Sequence, residues 1–458
     1  MEYAYLCTQQ IIGNMGKDKT ERKGPAPAGG HPAPKRGGES RERKPNWREY
    51  TATVEDIEQF LGDNIQLRHN VVTGRTECRI LESDLFAEWI AEGLPTGQWL
   101  PVSDRIVNTL WRALSKKKRV NTKDIYGIIE SDFSPDFNPF LFYLDRLPPW
   151  NGEDHILAMS VSVSVRGEVE EQMLFAEYLK KWLVGMVAGW ADPEVVNNVI
   201  LVLIGEQGSY KTTWFSHLLP PELRQYFRIK TNSSRMTKDD LLVLSEYGLV
   251  CYEELETMRP SELNQLKAAV TMPSVDERRP YGRYTEHRRH IASFCGTGNN
   301  IQFLSDPTGN RRWLPFEVES IEPPQEHPID YVSVYAQAYA LYRQGFRYWF
   351  SRDEILRLAE HNRQFETPRL EAELVDVYFR RPGEQEPGEY MPVSRAMQII
   401  GGNTVQQLSA VRLGRAFMEQ GFRQVRQAHS RGYVVVRRSA EDIQARMRAM
   451  TCDADEAF

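Results

Sequence analysis

One stretch constrains the fold more than any other: VILVLIGEQGSYKTTWFSHLL, residues 199–219. Its first seven residues form an apolar run closed by Gly205, which reads as a buried strand. GEQGSYK is a turn, and TTWFSHLL opens a helix. Strand, loop and helix in that order aim backbone N–H groups and a helix N-terminus at a phosphate. The spacing approaches G-x-x-x-x-G-K-[ST], in which the lysine reaches the β/γ oxygens and the hydroxyl holds Mg²⁺. Lys211 and Thr212 take those two places, while Tyr210 stands where the second glycine belongs. Gly205 and Gly208 let the backbone approach closely, and Tyr210 needs a φ that a non-glycine residue adopts only at a cost. The candidate ATP-binding loop is therefore Gly205, Glu206, Gln207, Gly208, Ser209, Tyr210, Lys211, Thr212 and Thr213. On its own the loop favours a phosphate site over the plainer alternative, a surface turn before a helix with an incidental lysine.

Three later segments bear on that choice. In LVLSEYGLVCYEELETM a short apolar strand from Gly248 ends in Glu253 and Glu254. Two carboxylates at a strand tip suit a metal neighbour, Glu253 beside Thr212, and a residue that polarises the attacking water, Glu254. A solvated glutamate pair opening a helix is the plainer alternative. RRHIASFCGTGNN is a third strand ending at Asn299, whose amide can orient water or sense the γ-phosphate; loop asparagines are also ordinary turn residues. DPTGNRRWLPFEV carries Arg311 and Arg312 ahead of another apolar strand. Such a pair is either solvated surface or an arginine finger for a neighbouring subunit, an effect of roughly 10³–10⁵ in rate. The four features follow the order of a ring-forming P-loop ATPase, and their joint coincidence by chance is small. That decides for a working loop.

The remainder of the 458 residues leaves room for two or three domains. Residues 1–46 are a basic arm, rich in Gly and Pro between 13 and 46, that cannot offset the entropy of ordering. The opening MEYAYLCTQQIIGNMG lacks a basic n-region and a long apolar core, so it is not read as a signal peptide. Residues 47–136 read as a small α-rich domain with two short strands around a Thr-Gly turn, and 137–194 as a helical lead-in. The ATPase domain spans 195–350, followed by a helical connector at 351–379 and a linker at 380–390. Residues 391–438, two helices and a strand pair turning near Ser430–Gly432, suggest a winged-helix-like module, and 439–458 form a tail. Five scattered cysteines show no metal spacing, and Cys251 and Cys295 read as reduced core residues. No segment is apolar enough to span a bilayer, so a cytoplasmic protein without membrane contact is expected.

The net charge of −6 hides local asymmetry. Residues 391–438 carry eight arginines against one acid, Glu419. Arg412 and Arg415 on the second helix, with Arg426 and Arg431 on the strand pair, are placed to flank duplex phosphates. The stretch DERRPYGRYTEHRRH interleaves Arg278, Arg279, Arg283, Arg288 and Arg289 with Tyr281 and Tyr284, a mixture that suits single-stranded nucleic acid. Each of these arginines is equally open to holding a nucleotide or a subunit interface instead.

Residues from about 137 to 320 resemble the virulence-associated protein E family of phage and mobile-element replication proteins. That family is related to superfamily 3 helicases and to the helicase half of the poxvirus primase-helicase. The matching pieces are FNPFLFYLDRLPPWNG, VLIGEQGSYKTT, CYEELE, the Lys267 helix leading to DERRPYGR, GTGNN and DPTGNRRWLPFEV. The resemblance implies an α/β P-loop core of AAA+-like, superfamily 3 type. It gives Lys211 and Thr212 the Walker A roles, Glu253 and Glu254 the Walker B roles, Asn299 the sensor role and Arg311 or Arg312 the trans-acting role. It also implies a bacterial or phage-encoded hexameric helicase using ATP and Mg²⁺. Tyr210 for glycine, Asn151 for the acid of W-D-G, and T-G-N for T-T-N depart from the pattern. No primase domain is recognisable, so a separate primase or initiator is an expected partner. Two rivals stand beside the helicase: an ATP-binding initiator or scaffold with little turnover, and a small-molecule P-loop kinase. The kinase needs an acceptor pocket and lid, for which the basic stretches offer nothing.

Overall fold

In the computed structural model the chain divides into two units, Met1–Thr51 and Ala52–Phe458. The described residues are 50–93, 97–231, 238–277, 285–304, 310–367, 370–383, 385–401, 408–427 and 430–455. The expected basic arm lies outside them, as do Arg278, Arg279, Tyr281 and Arg283.

Thr53 starts the second unit's first helix with a capping box: its hydroxyl accepts from the Asp56 amide at 3.2 Å and the Asp56 carboxylate from the Thr53 amide at 2.9 Å. Helix α1 (Val54–Asn64) runs into strand β1 (Ile65–Asn70), which turns back through Gly74 into β2 (Arg75–Ile80). Gly74 has φ of 56°, the left-handed conformation this tight turn requires. Helix α2 (Ala87–Ala91), strand β3 (Trp99–Pro101), helices α3 (Asp104–Ser115) and α4 (Thr122–Ile129) and strand β4 (Asp136–Phe137) complete the layer. The four strands form one sheet in the order β3-β2-β1-β4, with Ile57, Leu61, Leu110 and Ile125 buried between sheet and helices. The expected α-rich domain is thus an α/β layer. Strands of three and two residues are too short to show alternation, so only their partners reveal them.

Helices α5 (Pro139–Leu144) and α6 (His155–Ser160), strand β5 (Val163–Val165) and the long helix α7 (Val169–Ala191) come next. They are not a separate lead-in. β5 pairs with a strand of the central sheet, and α7 lies against that sheet with Trp182 and Trp190 fully buried. The central block comprises β6 (Ile200–Ile204), α8 (Lys211–Ser216), β7 (Phe227–Lys230), α9 (Lys238–Glu246), β8 (Leu249–Tyr252), α10 (Pro260–Ala269), β9 (Ser274–Glu277), β10 (Glu286–Arg289), β11 (Ser293–Gly298) and β12 (Trp313–Ile321). Helices α11 (Tyr331–Arg343) and α12 (Arg352–His361) follow. Six strands join in the order β5-β12-β6-β11-β8-β7, all parallel except β5. Helices cover both faces, so β6, β8 and β11 are buried at every position, as a doubly covered parallel sheet requires. β9 and β10 form a separate antiparallel hairpin.

The last layer contains α13 (Leu370–Tyr378), β13 (Phe379–Arg380), β14 (Glu389–Pro392), α14 (Val393–Gly401), α15 (Ala410–Glu419), β15 (Gln424–Gln427), β16 (Ser430–Arg437) and α16 (Ala440–Asp455). β13, β14 and β15 all pair with β16, and α13 shares a core with α14 and α15 through Leu374, Tyr378, Ile400 and Phe417. The expected connector and linker boundaries therefore move. The last third of the connector and both ends of the linker belong to this layer, and the linker's Glu386 grips Arg380 through both oxygens. The strand pair continues past the expected turn: Gln427 is opposite Ser430, so Ser430–Gly432 lie within the ladder. Among the described residues no helix is long and apolar enough to cross a membrane.

Candidate active site

Parallel pairing brings the sequence candidates together. Ile204 at the end of β6 is level with Gly298 at the end of β11, and Gly296 is level with Tyr252 at the end of β8. The loop after β6, Asn299 after β11 and Glu253 and Glu254 after β8 thus leave the same edge of three adjacent strands, spaced about 4.8 Å apart. The Gly205 amide donates to the Gly298 carbonyl at 3.1 Å, which ties the loop to the Asn299 segment. A Cβ on Gly205 would sit 3.0 Å from the Val318 carbonyl oxygen, so any side chain there would have to push that backbone back by a few tenths of an ångström.

Within the loop, Gly208 has φ of 87° and Tyr210 has φ of 61°. Tyr210 caps α8 in the left-handed conformation and its carbonyl accepts from the Trp214 amide at 2.7 Å. The tyrosine thus adopts the backbone shape a glycine would take, and its ring stays exposed. Lys211 is buried and curls back over the loop. Its ammonium donates to the carbonyls of Gly205 at 2.7 Å and Glu206 at 2.6 Å, and to Ser209 Oγ at 3.1 Å. Burial pulls its pKa below the usual lysine range, against the raising effects of Glu256 and Glu206. Thr212 and Thr213 are half-buried on the first turn of α8, while Glu206 and Gln207 are exposed on the loop. At six residues α8 has little dipole to offer, so Lys211 and the loop amides carry the anion attraction.

Glu253 is half-buried and Glu254 exposed. Glu254 has φ of 53° and ψ of 51°. Tyr210 and Glu254 are the two non-glycine residues of positive φ among the described residues, and both lie at this edge. Strain of this kind collects where a function over-determines the backbone. The sequence pattern did not single out Glu256, which lies closest to Asn299. One Glu256 oxygen accepts from the Asn299 backbone amide at 3.0 Å and from its Nδ2 at 3.1 Å; the other is buried without a partner among the described residues. The available signal was a third acid two positions beyond Glu254 in CYEELE.

Arg311 and Arg312 are placed elsewhere. They occupy a 3-10 turn, Asn310–Arg312, just before β12, whose first residue Trp313 is level with Ile200 at the start of β6. They therefore lie at the opposite edge of the sheet from Lys211, a strand length of about 13 Å away. Arg311 is exposed and Arg312 half-buried, and neither forms an ion pair among the described residues. Burial, and then the charge of Arg311, push Arg312 below the usual guanidinium range.

The basic stretch around β10 divides. Its tip lies outside the described residues, but Arg288 is buried, bonded to Glu246 at 2.9 Å and to the Val72 carbonyl. Arg289 donates to the Trp190 carbonyl at 2.8 Å. Both fasten elements within the chain, a use that differs from the alternatives the sequence left open for them, nucleic acid on one side and nucleotide or subunit interface on the other. Arg412 and Arg415 are exposed on α15, and Arg426 is directly opposite Arg431 between β15 and β16. Like charges facing across a ladder are destabilising unless an anion sits between them.

Residues 144–367 match the family model for the virulence-associated protein E-like domain. The chain carries a virulence-associated protein E-like domain. The domain runs from the end of α5 through α12 and includes every candidate at both edges of the central sheet. Among solved structures, the apo C-terminal region of NrS-1 (305–718) is 12% identical, covering 83% of this chain and 98% of its own, with a TM-score of 0.44. A second apo structure of that region, the A form, gives 12% identity, the same coverage and a TM-score of 0.41. A point mutant of Thermotoga maritima RuvB is 13% identical, covering 57% of this chain and 91% of its own, with a TM-score of 0.23. No curated protein matches the chain.

Proposed function

We propose that the chain is an ATP-dependent DNA helicase or translocase used in replicating a phage or mobile genetic element, working as a hexameric ring. The observation that carries the reading is the split between the two edges of one sheet. Lys211, Glu253, Glu254 and Asn299 share one edge, while Arg311 and Arg312, without an ion pair among the described residues, stand at the other, too far to serve the same loop. A side chain that serves a phosphate site across such a gap serves that of a neighbouring copy. Counting strands from β6 in chain order and leaving out β9 and β10, the sheet order is five-one-four-three-two with β5 added at the edge, which supports an AAA+-like core of superfamily 3 type. The resemblance of residues 137 to 320 to phage and mobile-element replication proteins, with the matching domain at 144–367, supports the replication context.

The residues fit Mg-ATP. The loop amides and Lys211 would hold the phosphates, and Thr212 and Glu253 the metal; the bound nucleotide supplies the anhydride whose hydrolysis drives movement. Lys211 exchanges its loop carbonyls for phosphate oxygens, Glu254 orients and deprotonates water at its carboxylate, and Asn299, held by Glu256, aligns that water. Arg278, Arg279, Tyr281 and Arg283, which lie outside the described residues, would contact single-stranded DNA through charge and stacking. In the last layer, helix, strand, two helices and a strand pair follow the order of a winged helix, and the facing Arg426 and Arg431, with the exposed Arg412 and Arg415 on α15, favour duplex phosphate there.

Tyr210 favours a second reading, an initiator or scaffold that binds ATP with little turnover, because its strained backbone adds a cost to loop rearrangement. DNA-stimulated ATPase activity of wild type and Lys211→Ala separates the two. The motor requires turnover that disappears in the variant; absence of any Lys211-dependent turnover selects the scaffold.

A further inference from the structure

The arginine turn is gripped by a segment distant in sequence. Asn362, which follows α12, is fully buried, and its amide nitrogen donates to two carbonyls, that of Asn310 at 2.8 Å and that of Trp313 at 3.0 Å. Those carbonyls bracket Arg311 and Arg312. Four residues on, Glu366 accepts from Asn310 Nδ2 at 2.7 Å. The same segment holds the chain that enters the turn: the amides of Phe303 and Leu304 donate to the Phe365 carbonyl at 3.1 and 3.0 Å, and Thr367 donates back to Leu304 at 2.9 Å. Residues 362–367 therefore clasp the chain at Phe303–Leu304 and again at Asn310–Trp313.

Both hydrogens of the Asn362 amide are used, and with the side chain buried no water can replace them. One planar group bonded to carbonyls three residues apart fixes the backbone between them. The two guanidiniums then start from a set position at the sheet edge while their side chains stay free to reach outward.

We propose that Asn362, with Glu366 as its second anchor, is the positioning residue that aims Arg311 and Arg312 at a neighbouring subunit's nucleotide. The inference rests on the helicase reading above and adds to it a device inside the subunit. Asn362→Asp replaces the donor with an oxygen facing two carbonyls and leaves Lys211, Glu253, Glu254 and Asn299 intact. An arginine displaced by about 1 Å costs on the order of 10²-fold in rate.

The test is ATPase kinetics on purified full-length oligomers, alone and as co-expressed mixtures. Asn362→Asp should lose about 10²-fold in kcat with KM for ATP nearly unchanged. Co-expression with Glu254→Gln should restore turnover, since the Glu254→Gln subunit lends sound arginines to the Asn362→Asp site. Co-expression with the Arg311→Ala/Arg312→Ala double variant should restore none. A general folding defect is not cured by a neighbour. If Asn362→Asp gives no cooperative melt, Glu366→Ala takes its place, with the same pattern at about tenfold loss. The inference is overturned if the arginine double variant recovers beside Glu254→Gln and neither Asn362→Asp nor Glu366→Ala does. If the double variant itself loses no activity, or never recovers, the trans-arginine reading fails and this one goes with it.

Discussion

Tyr210 offers a quantitative test of how the loop is built. Its φ of 61° and ψ of 12° place a non-glycine residue in the left-handed region, at a cost of about 1–2 kcal/mol. Tyr210→Gly removes that cost but gives the unfolded chain extra freedom, worth about 0.5–1 kcal/mol in the other direction. Tyr210→Ala keeps the strain. Comparing Gly with Ala cancels the loss of the ring, leaving glycine ahead by about 0.5–1 kcal/mol. For a domain of this size that is roughly 1–4 °C in Tm. Thermal melts of both variants without nucleotide provide the measurement. An alanine variant melting at or above the glycine variant would refute the claim that the backbone at 210 is held left-handed.

Three further outcomes rest on other parts of the structure. Arg288→Ala should destabilise the chain by about 1–3 kcal/mol by removing the partner of half-buried Glu246 and of the Val72 carbonyl, while leaving the salt dependence of DNA binding unchanged. Arg412→Ala with Arg415→Ala should do the opposite, reducing the duplex-binding salt slope by about 0.9 per phosphate lost with little change in Tm. Glu354 is desolvated, which raises its pKa, but bonds from Ser351 and Lys181 outweigh burial and bring it from 4.5 to about 2. A lowered carboxylate pKa stabilises above the unfolded value and loses that contribution as pH falls through the folded one. Glu354→Gln should therefore cost stability at pH 7, with the gap to wild type closing between about pH 4.5 and 2; a gap independent of pH in acid-unfolding curves would remove the assignment.

The candidate site was legible wherever chemistry sits at the end of a short buried strand. Gly205 to Thr213, Glu253, Glu254 and Asn299 each follow an apolar run, and strands of one parallel sheet deliver their C-terminal ends to one edge. Glu256 stayed hidden because its role depends on Asn299, 43 residues away. Arg288 and Arg289 read as surface cations because their run is polar. Their partners, Val72 and Trp190, lie 216 and 99 residues back in the chain.

Local pattern by itself determined the strand–loop–helix unit, the acids and amide that follow, and the α/β character of the central block, since each is written within about twenty residues. Tertiary structure alone decided the strand order, the separation of Arg311 and Arg312 from Lys211, the clasp by Asn362 and the sheets hidden in the first and last layers. The physical reason is that apolar burial is non-directional and leaves pairing and register open. Those are settled by backbone hydrogen bonds between segments far apart in the chain.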